Sequence, residues 1–97
     1  GLAMELPVGY VGLIYARSGL ACKRGLAPAN KVGVVDSDYR GEINVVLHNH
    51  GSVPQTIENG ERVAQLLITP VFQPAYEIAE ALTDTARNAG GFGSTGK

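Results

Sequence analysis

Apolar residues in this chain come in short runs, each closed by small or turn-forming residues. Val11 to Tyr15 is bounded by Gly9 and by Arg17-Ser18-Gly19. Lys31 to Val35 is β-branched and stops at Asp36-Ser37-Asp38. Glu42 to Asn49 begins after Gly41. Gly60 to Val71 carries Val63, Leu66, Leu67, Ile68 and Val71 behind the turn pair Asn59-Gly60. Short runs with turn signals at near-regular spacing predict strands, and with them an all-β sandwich, barrel or jelly roll. Gln73 to Leu82 fits two periods: Tyr76 and Ile78 alternate as on a strand, whereas Ile78, Ala81 and Leu82 would share a helical face. The expectation is a further strand there, followed by an extended arm from about Thr83. The chain thus divides into a β-domain over 1–82 and a mobile C-terminal arm over 83–97. No internal repeat or coiled-coil heptad is visible.

Composition narrows this picture. Ninety-seven residues make at most one domain with a modest core. Thirteen glycines and five prolines fit many turns, and a net charge of −1 gives no general reason to bind nucleic acid or membrane. The single Cys22 cannot form an internal disulfide, which fits the cytoplasm or another reducing compartment. It reads as a packed small hydrophobe rather than a nucleophile. There is no signal-peptide pattern and no apolar run long enough for a membrane-spanning helix. The opening Gly1-Leu-Ala-Met-Glu-Leu-Pro7 reads as the interior of a domain.

Four segments carry candidate chemistry. The tail Arg87-Asn-Ala-Gly-Gly-Phe-Gly-Ser-Thr-Gly96 cannot pack a core, because it buries little and loses much backbone entropy on ordering. It is a disordered tail or an arm that orders over a ligand. Its glycines let backbone N–H groups reach phosphate oxygens, Ser94 and Thr95 add hydroxyls, Arg87 adds a fixed charge, and Phe92 offers a face for a base. Gly91 to Lys97 also spells G-x-x-x-x-G-K, but a phosphate-binding loop of that type needs a following Ser/Thr and helix, and none follows Lys97. Gly33 to Ile43 predicts a β-hairpin around Asp36-Ser37-Asp38-Tyr39. Turn chemistry accounts for one aspartate but leaves Tyr39 without a role. Arg17-Ser18-Gly19 offers a guanidinium, a hydroxyl and an N–H at a strand end, a pattern also common in plain turns. In Gly60-Glu-Arg-Val-Ala-Gln65 a polar Gln65 interrupts an apolar strand, as solvent-facing residues often do. His48 and His50 lie on one strand face, but no third zinc ligand follows at a sensible spacing.

In this order the four segments resemble motifs two to five of the trimeric dUTP pyrophosphatases (dUTPases), over essentially the whole chain. The resemblance implies a jelly-roll-like β fold and a homotrimer with three active sites shared between subunits. It implies hydrolysis of dUTP to dUMP and pyrophosphate, with Mg²⁺ held through the triphosphate and water rather than by protein ligands. Asp36 matches the aspartate that activates water. Asn30 matches the contact to the uracil edge, Val35 a neighbouring substrate contact, and Tyr39 the tyrosine packed on the deoxyribose. Arg17, Ser18, Gly19 and Gln65 match phosphate-contacting positions. Arg87, Phe92, Gly93, Ser94 and Thr95 match the arm that closes over the nucleotide. The family's first motif, an Ala-Gly-Tyr-Asp-Leu-like segment, has no counterpart here, so the chain resembles a truncated or partial member. Ala16 stands where many members have Pro or Gly. A non-catalytic nucleotide-binding or regulatory β-trimer is the alternative, and a dCTP deaminase relative ranks below it.

Overall fold

Tyr10–Tyr15 forms the first strand, β1, at the centre of an antiparallel three-stranded sheet. The computed structural model describes residues 1–96; Lys97, the end of the expected arm, lies outside the described residues. After β1 come α1 (Ser18–Arg24), β2 (Leu26–Pro28), β3 (Gly33–Val35), β4 (Leu47–Asn49) and β5 (Gln65–Pro70). The main sheet runs β3-β1-β5, and β2 pairs with β4 in a separate two-stranded ribbon. The register sets Gly12 against Val35 and Ile68, and Tyr15 against Gln65. The core is small: Leu6, Val11, Ile14, Leu20, Leu26 and Val35 are its buried apolar side chains. On β3 the alternation is clean, with Val35 inward and Val34 outward.

The structure departs from the sequence pattern in four places. Ser18–Arg24 is helical rather than a turn at a strand end. Leu20 anchors the helix in the core while Cys22, two residues and about 200° further round, is exposed rather than packed. The helix stops because Gly25 takes the left-handed conformation (φ 69°) and returns its N–H to Ala21. A Cβ at Gly25 would also sit 2.9 Å from the Gly51 backbone nitrogen.

Secondly, β3 ladders with β1, not with the segment after the Asp-Ser-Asp corner, so the expected hairpin is a turn without a paired return strand. Thirdly, the run Glu42–Asn49 is a ladder strand only over Leu47–Asn49. Fourthly, 73–82 forms no strand among the described residues: it is extended and wholly exposed. Phe72, Tyr76, Ile78 and Leu82 have nothing to pack on within the chain. The radius of gyration is 18.9 Å, against about 13 Å for a closed domain of this length.

Candidate functional site

The predicted site residues fall into three places. The first is an open groove of ≈ 220 Å³ beside β3, lined among others by Asn30, Gly33, Val35, Asp36, Tyr39, Glu42, Ile43 and Asn44. β3 is the edge of its sheet, so the backbone groups on its outer side have no ladder partner there. Val35 contributes backbone, since its side chain is buried. Asn30 is set at the mouth by a tight turn: its carbonyl accepts the Val32 N–H at 2.8 Å, and Lys31 between them has φ 68°. Such a conformation is strained for a side-chain-bearing residue. Asp36 is exposed on the rim, and its carbonyl accepts the Tyr39 N–H at 3.1 Å, closing the corner. The Tyr39 hydroxyl donates to the Glu42 carbonyl at 2.8 Å and lies over Gly41, where a Cβ would strike it. Arg40 stiffens the same corner by donating to the Ser37 carbonyl at 2.6 Å. The groove therefore combines a flat aromatic, the amides of Asn30 and Asn44, free backbone donors and acceptors, and the carboxylates of Asp36 and Glu42. That set suits a planar heterocycle and a water molecule.

The second place is a polar pocket of ≈ 330 Å³ lined by Arg17, Ser18, Gly19, Leu20, Arg62 and Gln65. It shares no residue with the groove. The β1–β5 register creates it, because pairing Tyr15 with Gln65 leaves Arg17 just past the ladder's end. The Gln65 amide donates to the Ala16 carbonyl at 2.8 Å, which fixes the entry to α1. Two guanidiniums and a hydroxyl make this an anion pocket. Arg62 was not singled out by the sequence, although it lies three residues before Gln65 in the same motif. Next to it, the Glu61 carboxyl is held below the ordinary carboxylate range, first by the Glu58 backbone N–H and then by Arg24.

The third place is the arm. Thr85 and Asn88 exchange hydrogen bonds of 2.7 and 3.0 Å, Arg87 Nε donates to the Gly90 carbonyl, and further turns close at Ser94 and Gly96. Each of these bonds spans three residues and none leaves the segment. Phe92 is fully exposed. Arg87, Phe92, Gly93, Ser94 and Thr95 line neither the groove nor the anion pocket of their own chain.

His48 on β4 and His50, one residue past its end rather than on the strand face expected, stack with centroids 5.9 Å apart. Among the described residues no three His, Cys, Asp or Glu side chains come together as a metal cage. No helix among the described residues is long and apolar enough to cross a membrane.

A protein-family model described as dUTPase matches residues 1–96. A deoxyuridine 5′-triphosphate nucleotidohydrolase of Desulfitobacterium hafniense is 56% identical over 97 residues, covering 99% of this chain and 64% of its own length. The enzyme of that name from an Anaeromyxobacter species is 50% identical, with 100% and 66% covered. The chain thus spans just under two thirds of these curated relatives. Among solved structures, the Staphylococcus bacteriophage 80alpha dUTPase with dUpNHpp superimposes with a TM-score of 0.85 at 28% identity, over 98% of this chain and 72% of that one. A mutant dUTPase from phage phi11 of S. aureus, whose structure concerns a structural Mg(II) ion, gives 0.68 at 25% identity, over 81% and 67%. The mostly β architecture is the jelly-roll type of these neighbours.

Proposed function

The chain belongs to the dUTPase family, and from that premise we propose that it hydrolyses dUTP to dUMP and pyrophosphate as part of a homotrimer. The observation that carries the reading is the division of the site. A heterocycle groove, an anion pocket and an aromatic arm lie on one chain, and among the described residues none lines both the groove and the anion pocket and no residue of the arm lines either. One nucleoside triphosphate needs all three, and apposed copies of the chain would supply them. The exposed apolar residues of β5 and of 71–82 offer surface for such an assembly to bury.

In this reading the groove takes uracil against Asn30 and the β3 backbone edge, and Tyr39 packs on the deoxyribose. Arg17, Ser18, Arg62 and Gln65 hold the phosphates. Asp36 takes a proton from water for in-line attack on the α-phosphorus, with pyrophosphate leaving. Positioned general-base help of this kind is typically worth about 10²–10⁴-fold. The triphosphate would bring Mg²⁺ with it, and the bound ion would screen its charge. The arm lays Phe92 on the base and brings Arg87 and glycine N–H groups to the phosphates, which dries the site. The single thiol suits a reducing compartment such as the cytoplasm.

Pyrophosphate release from dUTP by the assembled protein tests the reading. Asp36→Asn is expected to keep nucleotide binding and lower turnover by about 10²–10⁴-fold; undiminished turnover removes Asp36 from the role. Light scattering is expected to give about three times the mass of one chain, and a clean monomer would sink the shared site.

A further inference from the structure

The loop between β4 and β5 delivers Arg62 to the anion pocket, yet it has little to hold it in place. Residues 54–64 form no ladder, and among the described residues every hydrogen bond they make with the rest of the chain goes to one side chain, Arg24. Its Nε donates to Gln55 Oε1 at 3.0 Å, one terminal nitrogen donates to the Thr56 carbonyl, and the other pairs with the Glu61 carboxylate. The second Glu61 oxygen accepts the Glu58 N–H at 2.9 Å, and the Glu61 N–H returns to the Glu58 carbonyl at 3.1 Å. Glu61 is therefore the knot of a closed turn and the handle by which that turn is tied to α1. Both side chains are largely covered, with exposures of 30% and 25%.

The tie has a direction. Arg24 ends the same helix that Ser18 begins, and α1 is a single stiff element of about 10 Å. Ser18 at one end and Arg62, adjacent to Glu61, thus belong to one braced frame, although they lie far apart in sequence. We infer that the Arg24–Glu61 pair positions the phosphate-binding half of the site, holding Arg62 against Arg17 and Ser18 without touching the ligand. The inference rests on the reading of this pocket as the polyphosphate subsite. It gives residue 24 a role that lysine cannot fill, because three loop atoms are engaged by one planar fork.

Electrostatics and positioning make opposite forecasts for Glu61→Gln. The substitution removes a negative charge beside a cationic pocket, so a purely electrostatic role predicts tighter polyphosphate binding. It keeps an acceptor for the Glu58 N–H but weakens the grip on Arg24, so a positioning role predicts looser binding. The experiment compares inorganic tripolyphosphate, dUMP and dUTP on the intact wild-type protein, Glu61→Gln and Arg24→Lys. Both variants are expected to bind tripolyphosphate more weakly by on the order of tenfold or more, with a matching rise in KM for dUTP. They are expected to leave dUMP affinity nearly unchanged and kcat lowered less than kcat/KM. Unchanged or tighter tripolyphosphate binding by Glu61→Gln overturns the inference. Equal losses for dUMP and tripolyphosphate also overturn it, because that is general unfolding. Failure of the wild type to bind tripolyphosphate overturns it at its root. Tripolyphosphate binding without dUTP hydrolysis by the wild type would instead sink the proposed reaction and leave the clamp to be judged on the binding data.

Discussion

β1 makes backbone ladders on both sides, to β3 and to β5, and three of its six residues are buried. The segment from Thr83 to Gly96 bonds only across three residues at a time, and its one large aromatic is fully exposed. The first region is fixed by residues far away in sequence, 23 positions from Gly12 to Val35 and 56 from Gly12 to Ile68. The second is fixed by its immediate neighbours. Its local turns can persist anywhere, and where it lies is decided by the surface it meets. The first region helps to line the groove through Ile14, whereas Arg87 and Phe92 of the second line neither the groove nor the anion pocket.

Deleting 86–97 breaks this contrast most severely. The thermal midpoint is expected to hold, because residues 86–96 contribute nothing to the core, while nearly all dUTP hydrolysis is lost. A large fall in midpoint would show that the arm is structural after all. The converse change is Ile14→Ala on β1. It is expected to cost about 2–5 kcal/mol of stability, read by denaturant unfolding, and to leave arm proteolysis in the native state unaltered. Phe92→Ala sharpens the comparison at a single side chain. It is expected to weaken the closed nucleotide complex by about 1–3 kcal/mol, one base–aromatic stack, with no change in unfolding midpoint. An analogue of dUTP that protects the arm from protease in the wild type but not in this variant would support the same point.

The smallest effect concerns pH. The Glu61 carboxyl is held below its ordinary value, so its contribution to stability is present above that value, about 4.3, and is lost as pH falls through the lowered one. Glu61→Gln is expected to flatten that acid limb of the stability curve and to leave the neutral region the same in shape.

Much of this was legible from the residues. The runs at Val11–Tyr15 and Gly60–Val71 gave β1 and β5 because β-branched and aliphatic residues alternate with turn signals around them. The order of the four motifs was sufficient to identify the family. α1 was missed although its signs were present: Ser18 at the start, Lys23 and Arg24 in the last turn, and Gly25 immediately after. Arg17-Ser18-Gly19 fits a strand-end turn as well as a helix start, and so short a pattern does not separate the two. The absent strand at 73–82 has another cause. Period alone cannot choose a conformation when nothing in the chain packs on Tyr76 or Ile78. The Arg24–Glu61 tie links residues 37 positions apart, and no local pattern encodes it. Arg62 was within reach, since it shares a motif with Gln65, but its role depends on a register known only once β1 and β5 are paired.

The separate lining of the groove and the anion pocket also has a genetic meaning. In a shared-site assembly, a lesion at Asp36 and a lesion at Arg17 fall in different complementation groups. Two inactive alleles, one of each kind, would rebuild some working sites when expressed together, whereas two alleles of the same kind would not.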